Sequence, residues 1–244
     1  MTTELVKQES NLPAELDGSW GSETISNDDI LIPKLLLMQA MSQLVSEKEA
    51  AEAGDIIKST TEEVVGGREK GVKIVPLMSF KTWTISEFTG SKFEFRSTEP
   101  LTMQNAAAAL EWTDAASDGS GKTTTWRRDK GLNFYVLVKG DLEAAVNGNG
   151  ACLPALISFR RTSMQAGKKL ASGISESAMM KRPAASRVYE LKSMKRKTDD
   201  HTYFVFDLVP TADKVSNEEL TFAKQWYDTL KSSQVKVDDA ADAE

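Results

Sequence analysis

From Val72 onward the chain is written largely in short runs that alternate apolar and polar residues, and this period-two pattern most narrows the folds open to it. In "VKIVPLMSF", "KTWTISEF", "SKFEFRS", "KTTTWRR", "LNFYVLVKG" and "ACLPALISFRR" the spacing suits strands with one buried face. Ile157 and Phe159 then face away from Ser158 and Arg160. The segments "SRVYELKSMKRK" and "TYFVFDLVP", joined by the turn residues "TDDH", read as a β-hairpin. In it Phe204 and Phe206 turn inward and Tyr203 turns outward.

Helical signals are fewer. "LTMQNAAAALEW" is rich in alanine, the best helix former. "TSMQAGKKLASGISESAM" reads as a helix that Gly167 and Gly173 weaken. The last element is better marked: Ser216 and Glu219 make a capping box, and Leu220, Ala223, Trp226, Tyr227 and Leu230 form an apolar stripe for core packing. Ahead of Val72, an apolar run broken by Pro33 leads into a short helix ending at Gly54, and "DIIKSTTEEVVGG" suggests a short strand pair or a strand with a turn. The expected fold is mainly β with helices (α+β), an OB-like five-stranded Greek-key barrel with helical additions and a C-terminal helix. An open α+β sheet is the alternative. Residues 1–27 read as a mobile arm, 28–231 as the domain and 232–244 as an acidic tail.

At 244 residues such a domain can bury a core without staples. One cysteine, Cys152, excludes an internal disulfide and a cysteine zinc cage, and one histidine, His201, removes most metal and nucleophile–base sites. His201 itself reads as a solvated turn residue. No leader-like segment opens the chain, and its apolar runs are too short to span a bilayer. A cytoplasmic protein without metal or cofactor is therefore expected. The charge is partitioned. Residues 1–67 carry four basic and thirteen acidic side chains, residues 68–205 twenty-two and fourteen, and residues 206–244 four and nine. Within the middle, residues 151–205 hold eleven basic groups against four acidic ones. A basic body between acidic ends points to a polyanionic partner.

One motif points elsewhere. Ala116-Ser-Asp-Gly-Ser-Gly-Lys122-Thr123 meets the looser form of a phosphate-binding loop, which would make Lys122 part of an ATPase. Such a loop needs a buried strand leading in and a helix leading out. Here the exit "TTTWRR" favours extended chain, so the stretch reads as a flexible turn that imitates the motif.

Basic and aromatic residues interleave along the β body. Trp126 and Arg127 follow the Gly/Ser turn, Arg160 and Arg161 close "FRR", and Lys168 and Lys169 sit in "AGKKL". Arg187, Tyr189, Leu191, Ser193 and Lys195 share one strand face, with Lys192 on the other. Cations for phosphates and rings for splayed bases suit an unpaired polynucleotide. Arg127, Arg160, Arg161, Lys168, Lys169, Arg187, Lys192 and Lys195 are the expected phosphate contacts, and Trp126, Tyr189 and Tyr203 the expected stacking platforms. With "CLPALISFRRTSMQAGKKLASGI", the hairpin, the C-terminal helix and the ending "DDAADAE", residues 70–244 resemble the phage-encoded single-stranded DNA-binding proteins of the OB-fold type. The resemblance implies a non-enzymatic replication or recombination protein that coats single strands. It also implies a tail that competes with DNA and recruits replication or recombination proteins, here through Asp238, Asp239, Asp242 and Glu244. Many such tails end in an aromatic residue, and this one ends in Glu244. An interaction protein that does not bind DNA stays open as the alternative, and so does the oligomeric state.

Overall fold

Two of the alternating runs fuse into strands far longer than their sequence punctuation suggests. The computed structural model describes residues 30–48, 50–89, 92–100, 115–117, 123–198 and 201–232, with side chains for those in 30–82 and 130–232. β1 (Leu35–Leu37), β2 (Ile56–Lys58) and β3 (Val64–Gly66) form a small antiparallel sheet. The larger sheet holds β4 (Val72–Thr89), β5 (Lys92–Pro100), β6 (Ala115–Ser117), β7 (Thr123–Val138), β8 (Ala155–Arg160), β9 (Tyr189–Lys197) and β10 (Thr202–Pro210). "VKIVPLMSF" and "KTWTISEF" are thus one strand, β4, which tolerates Pro76 because its register against β7 shifts between Pro76 and Met78. The helices are α1 (Gln43–Ser46), α2 (Lys139–Val146), α3 (Met164–Met179) and α4 (Asn217–Ser232).

The architecture is mixed α+β. Among the described residues the larger sheet has seven strands, in the order β10-β9-β4-β7-β6, with β5 paired to β4 and β8 paired to β7. The long partners β4 and β7 carry β9 and β8 at one end, and β5 and β6 at the other. The expected five-stranded closed barrel is not found, since no ladder joins β8 to β10 among the described residues. Residues 33–39 stand in the gap instead. Leu156 N–H on β8 donates to the Pro33 carbonyl at 2.8 Å, and Lys34 forms a parallel bridge with Leu156. On the other side, Gln39 treats β10 as a strand would. Its Oε1 accepts the Phe204 N–H at 2.9 Å and its Nε2 donates to the Phe204 carbonyl at 3.0 Å. Ser163 Oγ takes the Phe206 N–H at 3.2 Å. Side chains therefore satisfy an edge that a ladder leaves open.

Two cores lie on opposite faces of β4 and β7. One gathers Ile74, Phe134, Val136, Ile157, Phe159, Leu170, Leu191 and Phe206. The other packs Val75, Leu77, Leu137, Leu142, Leu156, Ala223 and Leu230 beneath α2 and α4. The glycines that argue against α3 prove to be its packing surface. A Cβ on Gly167 would come within 2.7 Å of Phe159 Cβ, and one on Gly173 within 2.2 Å of the Tyr189 hydroxyl oxygen. The helical cost of glycine is offset by close approach of the helix to the sheet.

The short helix expected to run to Gly54 is only the four residues of α1. The Ala-rich segment 101–112 lies outside the described residues. α2, hidden behind "VKGD", is held by tertiary contacts: Leu142 is fully buried, and the Lys139 ammonium hydrogen-bonds Glu219 of α4 and Glu143, the latter at 2.8 Å. The expected capping box forms, with Glu219 Oε2 accepting the Ser216 N–H at 2.7 Å. Glu219 thus caps α4 with one oxygen and binds Lys139 with the other.

Burial alone would lower the Lys139 pKa, but bonding to Glu143 and Glu219 more than offsets this and raises it above the ordinary 10.5. The stabilisation is therefore complete at neutral pH and is lost only as pH rises through that elevated value. Glu219→Ala leaves the buried ammonium with Glu143 alone and removes the capping box, and should cost about 1–3 kcal/mol in urea unfolding at pH 7. A loss under about 1 kcal/mol would refute this role. Gly173→Ala should cost about 1–3 kcal/mol by overpacking, and Tyr189→Phe in the same chain should recover part of it. Strict additivity of the two changes would show that they do not meet.

Candidate nucleic-acid interface

The β9–β10 register decides which faces carry the expected contacts. Tyr189 pairs with Pro210, Leu191 with Leu208, Ser193 with Phe206 and Lys195 with Phe204. This is the core-facing side: Tyr189 is 3% exposed and belongs to the first core. The expected stacking role of Tyr189 is corrected accordingly, because a ring wedged against Gly173 offers no face to a base. Burial raises its phenol pKa, and the neighbouring Arg187 guanidinium offsets part of that rise. Alternation identifies two faces without saying which is inside, and here the apolar partners Leu208 and Phe206 settle it. Tyr203 is half-buried on the opposite face, across from Arg196 and in line with Lys192.

The cations divide into two groups. Three expected phosphate contacts are matched to carboxylates: Lys169 to Asp207 at 2.8 Å, Arg187 to Glu176 at 2.9 Å and Lys192 to Glu190 at 3.0 Å. Such solvated pairs are weak, so they reduce the local positive potential without locking the side chains. Lys168 and Lys195 are exposed and make no ion pair among the described residues. Arg196 and Lys197 extend the exposed basic tip of the hairpin. Arg160 is half-buried at the end of β8, and Arg161 follows it with a left-handed φ of 44°.

Two segments distant in sequence meet along β10. The Ser163 bond to Phe206 N–H and the Lys169 bond to Asp207 hold the β8–α3 turn and the start of α3 beside that strand. Arg160, Arg161, Lys168 and Lys169 therefore flank the same hairpin that carries Lys192 and Lys195. Arg187 is set apart, tied to Glu176 towards the end of α3. Trp126 and Arg127 are neighbours on β7, across from Glu87 and Ser86, and their side chains lie outside the described residues. Asp238, Asp239, Asp242 and Glu244 also lie outside them.

Sequence reasoning missed several residues here. Lys34 is only 3% exposed and shares a cleft with Arg160, Phe204 and Phe206. The Arg68 guanidinium carbon sits 5.5 Å from the Phe204 ring centroid. Packed against the second core, the half-buried Phe80 and Tyr135 rings lie 5.3 Å apart. Beside them runs a polar row: Ser158 Oγ donates to Asn133 Oδ1 at 2.6 Å, and Asn133 Nδ2 donates to Thr82 Oγ1 at 2.8 Å. A lone lysine in "ILIPKLLLM" and an Asn two residues before a Tyr in "LNFYVLV" were the available signals.

The phosphate-loop motif lacks its setting. β6 runs antiparallel to β7, and Thr123 opens a strand, so no helix N-terminus follows Lys122, which itself lies outside the described residues. His201 is exposed between β9 and β10. Among the described residues no group of three or more His, Cys, Asp or Glu is placed to hold a metal ion. None of the described helices is long and apolar enough to cross a membrane. The Cys152 thiol is pushed up to about 12, first by burial and then by Asp141, with Lys58 opposing.

The family model for the Pam3 phage gp34-like protein matches residues 7–236, and the chain belongs to that family of phage proteins. No curated protein and no solved structure matches the chain.

In the folded protein, alkylation of Cys152 should await unfolding, and nitration should modify Tyr203 before Tyr189. Peptide mapping after timed exposure to each reagent checks both. Labelling of Cys152 at the rate of a free thiol would contradict its burial.

Proposed function

We propose that this phage protein is a non-enzymatic single-stranded DNA-binding protein with an OB-like body. The supporting observation is the meeting of two basic segments along β10, the β8–α3 turn with Arg160, Arg161 and Lys168, and the β9–β10 hairpin with Lys195, Arg196 and Lys197. Strand order supports the OB-like reading. β4 pairs with β7, β7 with β8 and β9 with β10, each antiparallel, β4 also pairs with β9, and α3 connects β8 to β9. OB barrels bind oligonucleotides on the face of their second and third strands and on the loops joining strands one to two and four to five. In that correspondence the face is the Ser158 and Arg160 end, beyond the part that Tyr135 and Leu156 fill in the second core. The loops are the β4–β7 ribbon, with Trp126 and Arg127, and the basic hairpin.

These cations displace the counterions condensed on the phosphates, while Tyr203 and Trp126 supply ring faces for bases. Carboxylates that neutralise Lys169 and Lys192 are exchanged for phosphates at small cost, since solvated pairs contribute little. Binding is then salt-dependent and nearly indifferent to sequence, as replication or recombination requires. The acidic residues of 232–244 compete for the same cations and recruit partner proteins.

A second reading, an interaction protein, is favoured by one feature: an open groove of about 930 Å3 beside α4, lined by Leu77, Ala185, Leu220, Ala223 and Tyr227 among others. Titration of the full chain with oligo-dT at low salt separates the two. Quenching of tryptophan fluorescence is expected, with an affinity that falls with salt. Replacing Lys195, Arg196 and Lys197 by Gln should flatten the log K against log salt slope by about 2, at ~0.7 per phosphate contact on a single strand. Removal of residues 232–244 should tighten binding. Absence of quenching at low salt, with no shift on heparin either, would leave only the interaction reading.

A further inference from the structure

The loop that leaves α2 for β8 begins Asn147-Gly148-Asn149-Gly150, two consecutive Asn-Gly pairs, and all four residues are exposed. An Asn-Gly pair carries its own reaction. The glycine main-chain nitrogen can attack the carbonyl carbon of the asparagine side chain, because no Cβ on the following residue obstructs the approach. Neither asparagine side chain makes a hydrogen bond among the described residues, so the two carbonyls are equally open. What separates the pairs is the state of the attacking nitrogen, since an amide that donates a hydrogen bond is held where it stands.

The fold treats the two glycines differently. Gly148 N–H donates to the Ala145 carbonyl at 3.1 Å and Asn147 N–H to the Glu143 carbonyl at 3.1 Å, which winds the first pair into the end of α2. Gly148 also takes φ 71°, a left-handed cap that fixes the chain just past Asn147. Asn149 N–H donates to the Ala144 carbonyl at 2.8 Å. Gly150 N–H donates to no acceptor among the described residues, and its φ is not left-handed. The helix end therefore uses the first three amides of the loop and leaves the fourth unbound.

We infer that Asn149 is a site of spontaneous deamidation in the folded protein, and that the end of α2 protects Asn147 from the same reaction. The Gly150 nitrogen forms a bond to Asn149 Cγ, its proton passes through solvent to the departing side-chain nitrogen, and ammonia leaves. One water molecule then opens the resulting succinimide at either carbonyl, giving aspartate or isoaspartate. Both products add a negative charge beside the last carbonyls of α2, where the helix dipole is already negative. Isoaspartate also lengthens the main chain just ahead of Cys152, whose carbonyl accepts the Trp226 indole N–H at 3.1 Å. The modification thus acts on the anchoring of α4 and is independent of the DNA-binding reading.

The test incubates the full chain in mildly alkaline buffer, native and in guanidinium, and follows each asparagine by peptide mapping and mass spectrometry. In the native protein Asn149 should convert several-fold faster than Asn147. In guanidinium, where α2 is lost, the two should convert at similar rates. Asn149→Gln and Gly150→Ala should each slow the native conversion several-fold. The second change fits the fold, because a Cβ on Gly150 meets only Ala144 Cβ, at 3.3 Å. Hydroxylamine, which cleaves the chain at a succinimide, should cut the native wild type after Asn149 and leave both variants largely whole. Aged wild type should lose melting temperature that aged Asn149→Gln keeps. Equal native rates at Asn147 and Asn149 would overturn the protection by α2. Native Asn149 that converts no faster than the exposed Asn217, which precedes Glu218, would overturn the site itself.

Discussion

An antiparallel sheet that curls without closing leaves two rows of unpaired N–H and C=O groups, and the rest of this structure depends on how they are covered. Left bare, they would invite association with other strand edges. Residues 33–39 resolve the problem asymmetrically. Main-chain bonding at Pro33 and Lys34 serves β8, whereas the Gln39 amide serves β10 with one donor and one acceptor. Because the filler segment belongs to the small sheet, β1–β3 become part of the body. The ion pair between Lys58 of β2 and Asp141 of α2, at 2.7 Å, ties the small sheet to a second element.

The same seam organises the charge. Ser163, needed to satisfy Phe206, draws the β8–α3 turn against β10, and the cations that follow β8 come with it. Structural bonding and ligand chemistry therefore share residues. Fold stability and the basic surface are coupled at this strand, and the left-handed backbone at Arg161 lies between the pairing of Arg160 with Gly131 and the Ser163 bond to Phe206. The Lys139–Glu219 bond acts at the opposite face, where it locks two helix starts over the second core.

Much of the element content was legible, because periodicity depends only on neighbours along the chain. The hairpin, β8, α3, the capped α4 and the pairing of β2 with β3 follow from it. α2 was not legible: its sequence "KGDLEAAV" has a glycine in its first turn and no side-chain cap, and what holds it is a carboxylate eighty positions away. The interface was read in part. The basic segments were visible in composition, but the burial of Lys34 beside them was not, since a single lysine among leucines gives no hint of the strand it will face.

What the sequence by itself determined is local: strand and helix positions, the two faces of each strand, and the segregation of positive charge into the middle of the chain. Which face of β9 is inside, with Tyr189 in the core and Tyr203 outside it, was decided only when β10 and α3 packed against it. Tertiary structure likewise decided that Arg160 and Lys34 line one cleft, and that Arg187 is drawn off to Glu176. The reason is physical. Alternation is a property of backbone geometry at each residue, whereas convergence of charges depends on which edges find partners, a result that the whole sheet fixes at once.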